Sequence, residues 1–243
     1  MSNPAVAEPL PLVTKLAYGF GAVAYGIKDT AFSTFLLFFY SRVIGMPAEQ
    51  VGFAIMLVLI IDAISDPLVG HISDNLHSRW GRRHPFMYFS ALPVAVSFYL
   101  MWNPPDLSTE AMFFYLLIMA ALVRTMLTLF EVPSTSLIAE LTSDYDERTK
   151  LVGYRGFFGY SGGIGLAIIA YTFFFPQSEE YPVGLMNPAG YTDFSVMAAT
   201  IMFVAILASS LGTHNRIPTL KSPPPKRPFD ARQTANELKQ TLS

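Results

Sequence analysis

The chain has 243 residues, of which 52% are hydrophobic and only 14% are charged, whereas soluble domains carry about 25% charged residues. This composition excludes an ordinary soluble domain and indicates a membrane protein. The net charge of −2 gives no basic excess that would favour nucleic acid as a partner, and the absence of cysteine excludes disulfides and thiolate metal sites.

Six windows of mainly apolar residues follow one another along the chain, each long enough to cross the hydrocarbon core of a bilayer. They predict an all-α membrane protein with six transmembrane helices, over residues 16–43, 51–74, 85–102, 111–141, 151–175 and 194–212. On this interpretation residues 1–14 form an N-terminal tail and 15–213 the bundle. Residues 214–243 contain a proline cluster that is typical of a linker.

Lysine and arginine are concentrated in alternate loops. The loop at 77–84 carries three arginines and the loop at 143–150 carries Arg148 and Lys150, whereas the loops at 103–110 and 176–193 contain acids without Lys or Arg. Because positively charged loops stay in the cytoplasm, we expect both termini, the second loop and the fourth loop to be cytoplasmic. The expected location is the plasma (inner) membrane.

Several charged residues lie inside the apolar windows, where a charge is expensive and usually functional. They are therefore candidates for the working parts of a transport pathway. The set comprises Lys28, Asp29, Asp62, Asp66, Arg124, Glu131 and Arg155.

Asp62 and Asp66 are four residues apart, so a helix places both carboxylates on one face. Two anions so placed favour a cation: either Na⁺, which prefers oxygen ligands, or one shared proton. The alternative is that neighbouring basic residues neutralise the acids. Beyond a site for Na⁺ at this pair we expect no metal centre, and no motif for covalent catalysis or phosphate binding is present.

Four strings resemble the glycoside-pentoside-hexuronide cation symporters, the melibiose permease group of the major facilitator superfamily. They are YGFGAVAYGIKD, DAISDPLVGHISDNLHSRWGRRHP, EVPSTSLIAEL and DYDERTKLVGYRGFFGYSGG, in family order and spacing. Members of that family have two six-helix bundles, so the resemblance implies that this chain is similar to the N-terminal half and needs a C-terminal six-helix half, in the same or another chain. It implies no cofactor.

The resemblance also assigns a coupling-cation site, for Na⁺ or H⁺, to Asp62, Asp66 and Thr128. Thr128 matches a hydroxyl ligand on the fourth span. Ser65 stands where the melibiose branch often has an amide, a departure that leaves a smaller ligand set.

By the same resemblance, Asp29 and Glu131 match residues that accept hydrogen bonds from sugar hydroxyls, and Arg155 matches a basic residue of that cavity. Lys28 and Arg124 are added to this substrate-binding set. The implied solute is small and polar, a sugar or glycoside. Thr135 replaces an aromatic residue of the melibiose branch, which weakens the case for a galactoside.

The basic residues of this set have further interpretations. Adjacent helical residues diverge by roughly 100°, so we expect Lys28 to meet an acid on another helix rather than Asp29. Arg124 lies seven residues before Glu131, on the same face, and could simply neutralise it. Arg155 could extend towards the interface.

The second loop resembles the cytoplasmic gating motif of the superfamily, in which basic side chains pair with acids at helix ends. The fourth loop resembles the matching element and is expected to supply partners. The predicted gating residues are Asp74, Arg79, Gly81, Arg82, Arg83, Asp144 and Arg148.

The resulting hypothesis is the N-terminal half of a cation-coupled symporter that works by alternating access. Two alternatives stay open. The same scaffold could move a non-sugar solute such as a lipid or an organic acid, because a fold does not fix a function. The chain could also be a truncated, non-transporting membrane subunit.

Overall fold

The structure is a computed structural model that describes residues 10–220. Most of the predicted linker (the part from residue 221 onward) and most of the predicted N-terminal tail (the part up to residue 9) lie outside these residues. Six helices long and apolar enough to cross a membrane run through the described part. They are α1 (Leu12–Val43), α2 (Ala48–Asn75), α3 (His84–Trp102), α4 (Thr109–Leu141), α5 (Tyr145–Phe174) and α6 (Pro188–His214).

The prediction of an all-α bundle of six transmembrane helices is confirmed, since residues 10–220 contain no strand. Helices satisfy their own backbone groups, which is what a bilayer demands of a spanning segment. The predicted starts of α5 and α6 were six residues too late. Asp144 and Asn187 cap these helices by accepting bonds from the amides of Glu147 and Ala189, so each helix begins before its apolar window.

The ends of two helices widen into π-helical turns. These turns are Ala31–Leu36 and Phe39–Val43 in α1 and Ala170–Phe174 in α5, and two short 3₁₀ turns lie at Gly184–Met186 and Ile217–Thr219. The π-helical ends surround a buried aromatic cluster in which the rings of Trp102 and Tyr191 stack with centroids 5.7 Å apart. This cluster closes one end of the bundle.

The helices pack in the order α2, α4, α3, α6, α1, α5. The two ends of this sequence, α2 and α5, flank a cleft whose back is formed by α1 and α4. All the intramembrane charges predicted to be functional lie on these four helices. The fold therefore brings residues from distant parts of the sequence to one concave face.

Close approach of α1 and α5 depends on glycine. A Cβ added to Gly26 would lie 1.9 Å from the carbonyl oxygen of Gly159, and one added to Gly163 would lie 2.5 Å from the Thr30 hydroxyl. Gly159 and Gly163 lie four residues apart on one face of α5, a spacing of small residues that lets membrane helices approach closely. This contact sets the position of α5, and with it that of Arg155.

Candidate functional site

The cleft contains two adjoining cavities that share Tyr25 and Glu131. The larger, about 620 Å³, is lined by α1, α4 and α5 and includes Asp29 and Arg155. The smaller, about 200 Å³, lies between α1, α2 and α4 and includes the pair Asp62 and Asp66. Of the residues predicted to bind a solute, Asp29 and Arg155 line the larger cavity alone and Glu131 lines both. Lys28 and Arg124 instead line the smaller cavity, together with the acids predicted to bind a cation.

The acid pair of α2 faces Arg124 and Thr128 of α4, two residues that are also four apart. The Thr128 hydroxyl donates to Asp66 Oδ1 at 2.9 Å and lies 3.5 Å from Asp62 Oδ1. The guanidinium of Arg124 donates to Asp62 Oδ2 through Nε, at 2.9 Å, and through Nη2. Hence the three predicted cation-site residues meet, with Arg124 as a fourth member.

Arg155 reaches across from α5 to α4. Its Nη2 lies 2.6 Å from Glu131 Oε2 and its Nη1 donates to the Ser134 hydroxyl at 2.8 Å. The Arg155 guanidinium also lies 5.6 Å from the ring centroid of Tyr18, whose own hydroxyl donates to the Ser134 carbonyl. The alternative in which Arg155 extends towards the interface does not hold in this structure, because polar partners on α4 hold it inside the bundle.

One further alternative and one expectation also fail. Arg124 does not neutralise Glu131: it pairs with Asp62, and Arg155 pairs with Glu131. Lys28 was expected to avoid Asp29, yet its Nζ lies 3.9 Å from Asp29 Oδ1. A long flexible lysine side chain spans the angular gap between neighbouring helical positions.

Lys28 and Asp29 nevertheless have very different surroundings. The Lys28 side chain is 7% exposed, and its ammonium lies 4.4 Å from the ring centroid of Tyr25. The Asp29 side chain is 64% exposed and faces the larger cavity. A carboxylate with free lone pairs at the wall of an open cleft is suited to accept hydrogen bonds from a ligand.

The charges that line the two cavities do not balance. Four carboxylates (Asp29, Asp62, Asp66 and Glu131) face three cationic groups (Lys28, Arg124 and Arg155). With every group ionised, the cleft carries one excess negative charge. One monovalent cation or one proton would neutralise it.

Two tyrosines of the cleft were missed by sequence reasoning. Tyr25 and Tyr160 both line the larger cavity and are 44% and 78% exposed. Helical spacing contained a signal for Tyr25, because it lies four residues before Asp29 and hence on the same face. An exposed aromatic ring beside the charged groups of the cleft offers an apolar surface to a ligand.

At the opposite end of the bundle from the aromatic cluster, the loop between α2 and α3 is tied to α4. Arg82 and Arg83 both donate through Nε to Glu140 Oε1, at 2.9 and 3.0 Å. Arg83 also reaches back to α2, where it contacts Asp74 Oδ1 at 2.5 Å and the Ser73 hydroxyl at 2.8 Å. This network joins three of the predicted gating residues, Asp74, Arg82 and Arg83.

The acid that receives both arginines, Glu140, was not predicted. Asp144 and Arg148 were expected to be the partners, but among the described residues neither is paired with Arg82 or Arg83. Asp144 caps α5, while Arg148 donates to the Thr142 carbonyl at 2.9 Å, so both bond near their own turn. Glu140 lies four residues before Asp144, at the end of α4, and the sequence does not show that the loop between α2 and α3 reaches it.

The remaining two gating residues have other local roles. Gly81 adopts φ = +73°, which a residue with a side chain rarely tolerates, and this conformation turns the loop towards Glu140. The Arg79 guanidinium lies 5.5 Å from the ring centroid of Trp80. Arg79 is exposed, and together with Arg82 it lines a third cavity of about 520 Å³.

Six spanning helices around a charged cleft define the class of an integral membrane protein. The family model for MFS/sugar transport proteins matches residues 17–243, and the chain belongs to that family. An uncharacterized symporter of Synechocystis is 35% identical over 87% of this chain and 39% of its own length.

Two further relatives carry more specific names. The isoprimeverose transporter of Lactiplantibacillus pentosus is 28% identical over 88% of this chain and 44% of its own length. The sodium-dependent lysophosphatidylcholine symporter 1 of Xenopus tropicalis is 30% identical over 60% of this chain and 28% of its own length. All three names are those of transporters rather than enzymes. The chain spans less than half the length of each, and the similarity falls in their N-terminal part.

Proposed function

We propose that this chain forms the N-terminal half of a secondary transporter that couples a cation, Na⁺ or H⁺, to the movement of a sugar or glycoside-like solute. One observation supports this most strongly. A two-acid site with a bridging hydroxyl opens into a larger cavity lined by carboxylates, a guanidinium and exposed tyrosine rings. Charged groups inside a membrane that face a shared cleft are typical of ion and substrate pathways.

The chemistry of the residues in each cavity indicates which ligand each would bind. Asp62, Asp66 and Thr128 supply hard oxygen atoms, which suit Na⁺, and the carboxylates also suit a proton. Asp29 and Glu131 supply acceptors for hydroxyl groups, while Arg155 supplies donors in a planar fork. Because the cavities share Glu131, an ion in one and a solute in the other would influence each other directly.

The charged residues of the cleft lie on an open side of the bundle, which a second protein domain could cover. We propose that a C-terminal six-helix half, in the same or another chain, covers the cleft and that the two halves rock against each other in alternating access. The bilayer is the other partner, and nucleic acid is not expected to be one. The proposed orientation places the loops with Arg82 and Lys150 in the cytoplasm.

The proposed cytoplasmic network has a place in this cycle. Glu140 pairs with Arg82 and Arg83, and Arg83 also pairs with Asp74, so ion pairs join the ends of α2 and α4 and the loop into one unit. A rigid unit of this kind is suited to meet the partner half when the cytoplasmic side closes. Arg79, exposed beside this unit, is available for that contact.

A lipid-like solute is the second candidate. It is favoured by the apolar wall of the larger cavity, where Val152 and Ile164 are 56% and 60% exposed next to Asp29 and Arg155. A headgroup at the charges and a chain along this wall would satisfy both surfaces. The name of the lysophosphatidylcholine relative points in the same direction.

Thermal stability of the complete transporter, screened with candidate solutes, tests the proposal. A ligand that binds the folded state raises its apparent stability. We expect at least one mono- or disaccharide to raise the melting temperature in Na⁺ or at low pH, and to do so less in K⁺ at high pH. Stabilisation by a lysophospholipid but by no sugar would favour the second candidate, and no stabilisation by any solute would contradict both.

A further inference from the structure

Arg124 holds a position that the proposed coupling ion would need. Its Nε and Nη2 both bond Asp62 Oδ2, and the side chains of Arg124 and Asp62 are only 16% and 17% exposed. Hydrogen bonds between ionised groups are among the strongest in proteins. In this structure, therefore, one carboxylate of the acid pair is already neutralised by a guanidinium that belongs to the chain.

The second carboxylate is in a different state. Asp66 is exposed to the cleft, and the one hydrogen bond it accepts from another helix, among residues 10–220, comes from the hydroxyl of Thr128. Thr128 stands between the acids, within 3.5 Å of both. The two-acid site is thus half occupied by a tethered cation and half open.

A mobile cation that uses both acids must compete with Arg124 because like charges a few ångströms apart repel each other. A displaced guanidinium has an acceptor nearby. Glu131 lies seven residues later on α4, about 10.5 Å along the helix axis, and lines the same small cavity. Its Oε1 is buried and has no hydrogen-bond partner within the described part of the chain.

We propose that Arg124 is a tethered counter-ion that competes with the coupling ion for Asp62 and moves towards Glu131 when that ion binds. The proposal rests on the proposed function of Asp62 and Asp66 as the cation site. It assigns Arg124 to ion affinity rather than to solute binding. It also gives a route for coupling, because Glu131 faces the solute cavity as well.

The test measures ion affinity in the complete transporter with Arg124 neutralised. Arg124→Gln replaces the charged side chain with a polar one, and Arg124→Met replaces it with an apolar one. If one variant does not fold, the other still provides the measurement. Arg124→Lys keeps the charge. Arg42→Gln, at an exposed position near the end of α1, is the matched control for charge loss.

The readout is the midpoint of thermal stabilisation in a Na⁺ titration at constant ionic strength with choline, and in a pH titration without Na⁺. We expect Arg124→Gln and Arg124→Met to lower the half-maximal Na⁺ concentration at least tenfold, about 1.4 kcal/mol. If the ion is a proton, we expect them to raise the half-maximal pH by at least one unit. Arg124→Lys and Arg42→Gln should stay within about threefold of the parent.

Unchanged or weakened ion affinity in both neutral variants would overturn the role of Arg124. Asp66→Asn separates this failure from failure of the proposed function. If the Na⁺ and pH responses of the parent persist in Asp66→Asn, the acid pair is not the cation site and both proposals fall. If Asp66→Asn abolishes the response while the Arg124 variants leave it unshifted, only the counter-ion proposal falls.

Discussion

Arg155 of α5 and Glu131 of α4 form an ion pair with Nη2 and Oε2 2.6 Å apart, and both residues line the larger cavity of the cleft. The side chains are 14% and 20% exposed, so the pair is shielded from water yet reachable from the cleft. The pair connects α5 to α4, and its proposed second role is to present a carboxylate to a ligand; substitution can separate the two.

Replacement of Glu131 by Gln should weaken solute binding by about 1.5 to 3 kcal/mol, the range for a hydrogen bond to a charged group. It should also lower stability because Arg155 loses its counter-ion. The double change Glu131→Gln with Arg155→Gln should recover stability but not solute binding. Calorimetric binding and melting temperature measure the two effects, with the exposed Glu110→Gln on the same helix as the control. Restored solute binding in the double variant would remove Glu131 from the ligand set.

The two acids of α2 should differ in what their loss does to folding. Asp62→Asn leaves the partly buried Arg124 without its partner and should lower the melting temperature more than Asp66→Asn, whose carboxylate is exposed. Both should abolish cation-stimulated uptake while the protein still inserts. Asp106→Asn, in the exposed loop before α4, is the matched control. Full coupling in both acid variants would exclude the pair as the cation site.

Adding one methyl group at Gly26, where α1 and α5 are in close contact, should destabilise the protein. Gly26→Ala would place a Cβ 1.9 Å from the Gly159 carbonyl oxygen, so the helices must separate. We expect a loss of about 1 to 3 kcal/mol or more, the usual effect of overpacking. Gly153→Ala on α5 is the control, since nothing lies within 4 Å of its added Cβ. Equal melting temperatures for the two variants would contradict the packing described.

The network around Glu140 should keep the loop between α2 and α3 in place. Glu140→Gln removes the charge that both arginines share, so the loop should loosen and a cysteine at His77 should react faster with a maleimide. These 243 residues contain no cysteine, so the introduced residue is the one thiol in this part of the transporter. Glu179→Gln, an exposed acid in another loop, should leave the rate unchanged. The same rate in Glu140→Gln as in the parent would argue against a restraining role.

Orientation in the membrane is the simplest prediction to check. Reporters fused after Arg82, Lys150 and Lys221 should give cytoplasmic signals, and reporters after Pro105 and Glu180 should give external ones, because Lys and Arg are concentrated in alternate loops. The reporters at Pro105 and Glu180 serve as internal controls for the others. An external signal after Arg82 would overturn the orientation.

The six helices could be predicted from the lengths of the apolar segments, because the thickness of the bilayer sets the length that a spanning helix needs. Helical spacing was enough to place Asp62 beside Asp66. It was not enough to pair the charges: Arg124 and Glu131 share a face of α4, yet each bonds a different neighbouring helix. Which charged side chains pair between helices depends on how the helices pack, and that packing depends on close contacts such as the one between Gly26 and Gly159. Glu140 was missed for the same reason, since its partners come from a loop about 57 residues away in sequence.

Reciprocal coupling between ion and solute tests the central claim most directly. A stabilising sugar from the solute screen would be titrated into the complete transporter by calorimetry, with saturating coupling ion and without it. We predict that the ion raises sugar affinity at least tenfold in the parent and has no effect in Asp66→Asn, as linkage between two sites requires. Equal sugar affinity in the parent with and without the ion would contradict cation-coupled binding in this cleft.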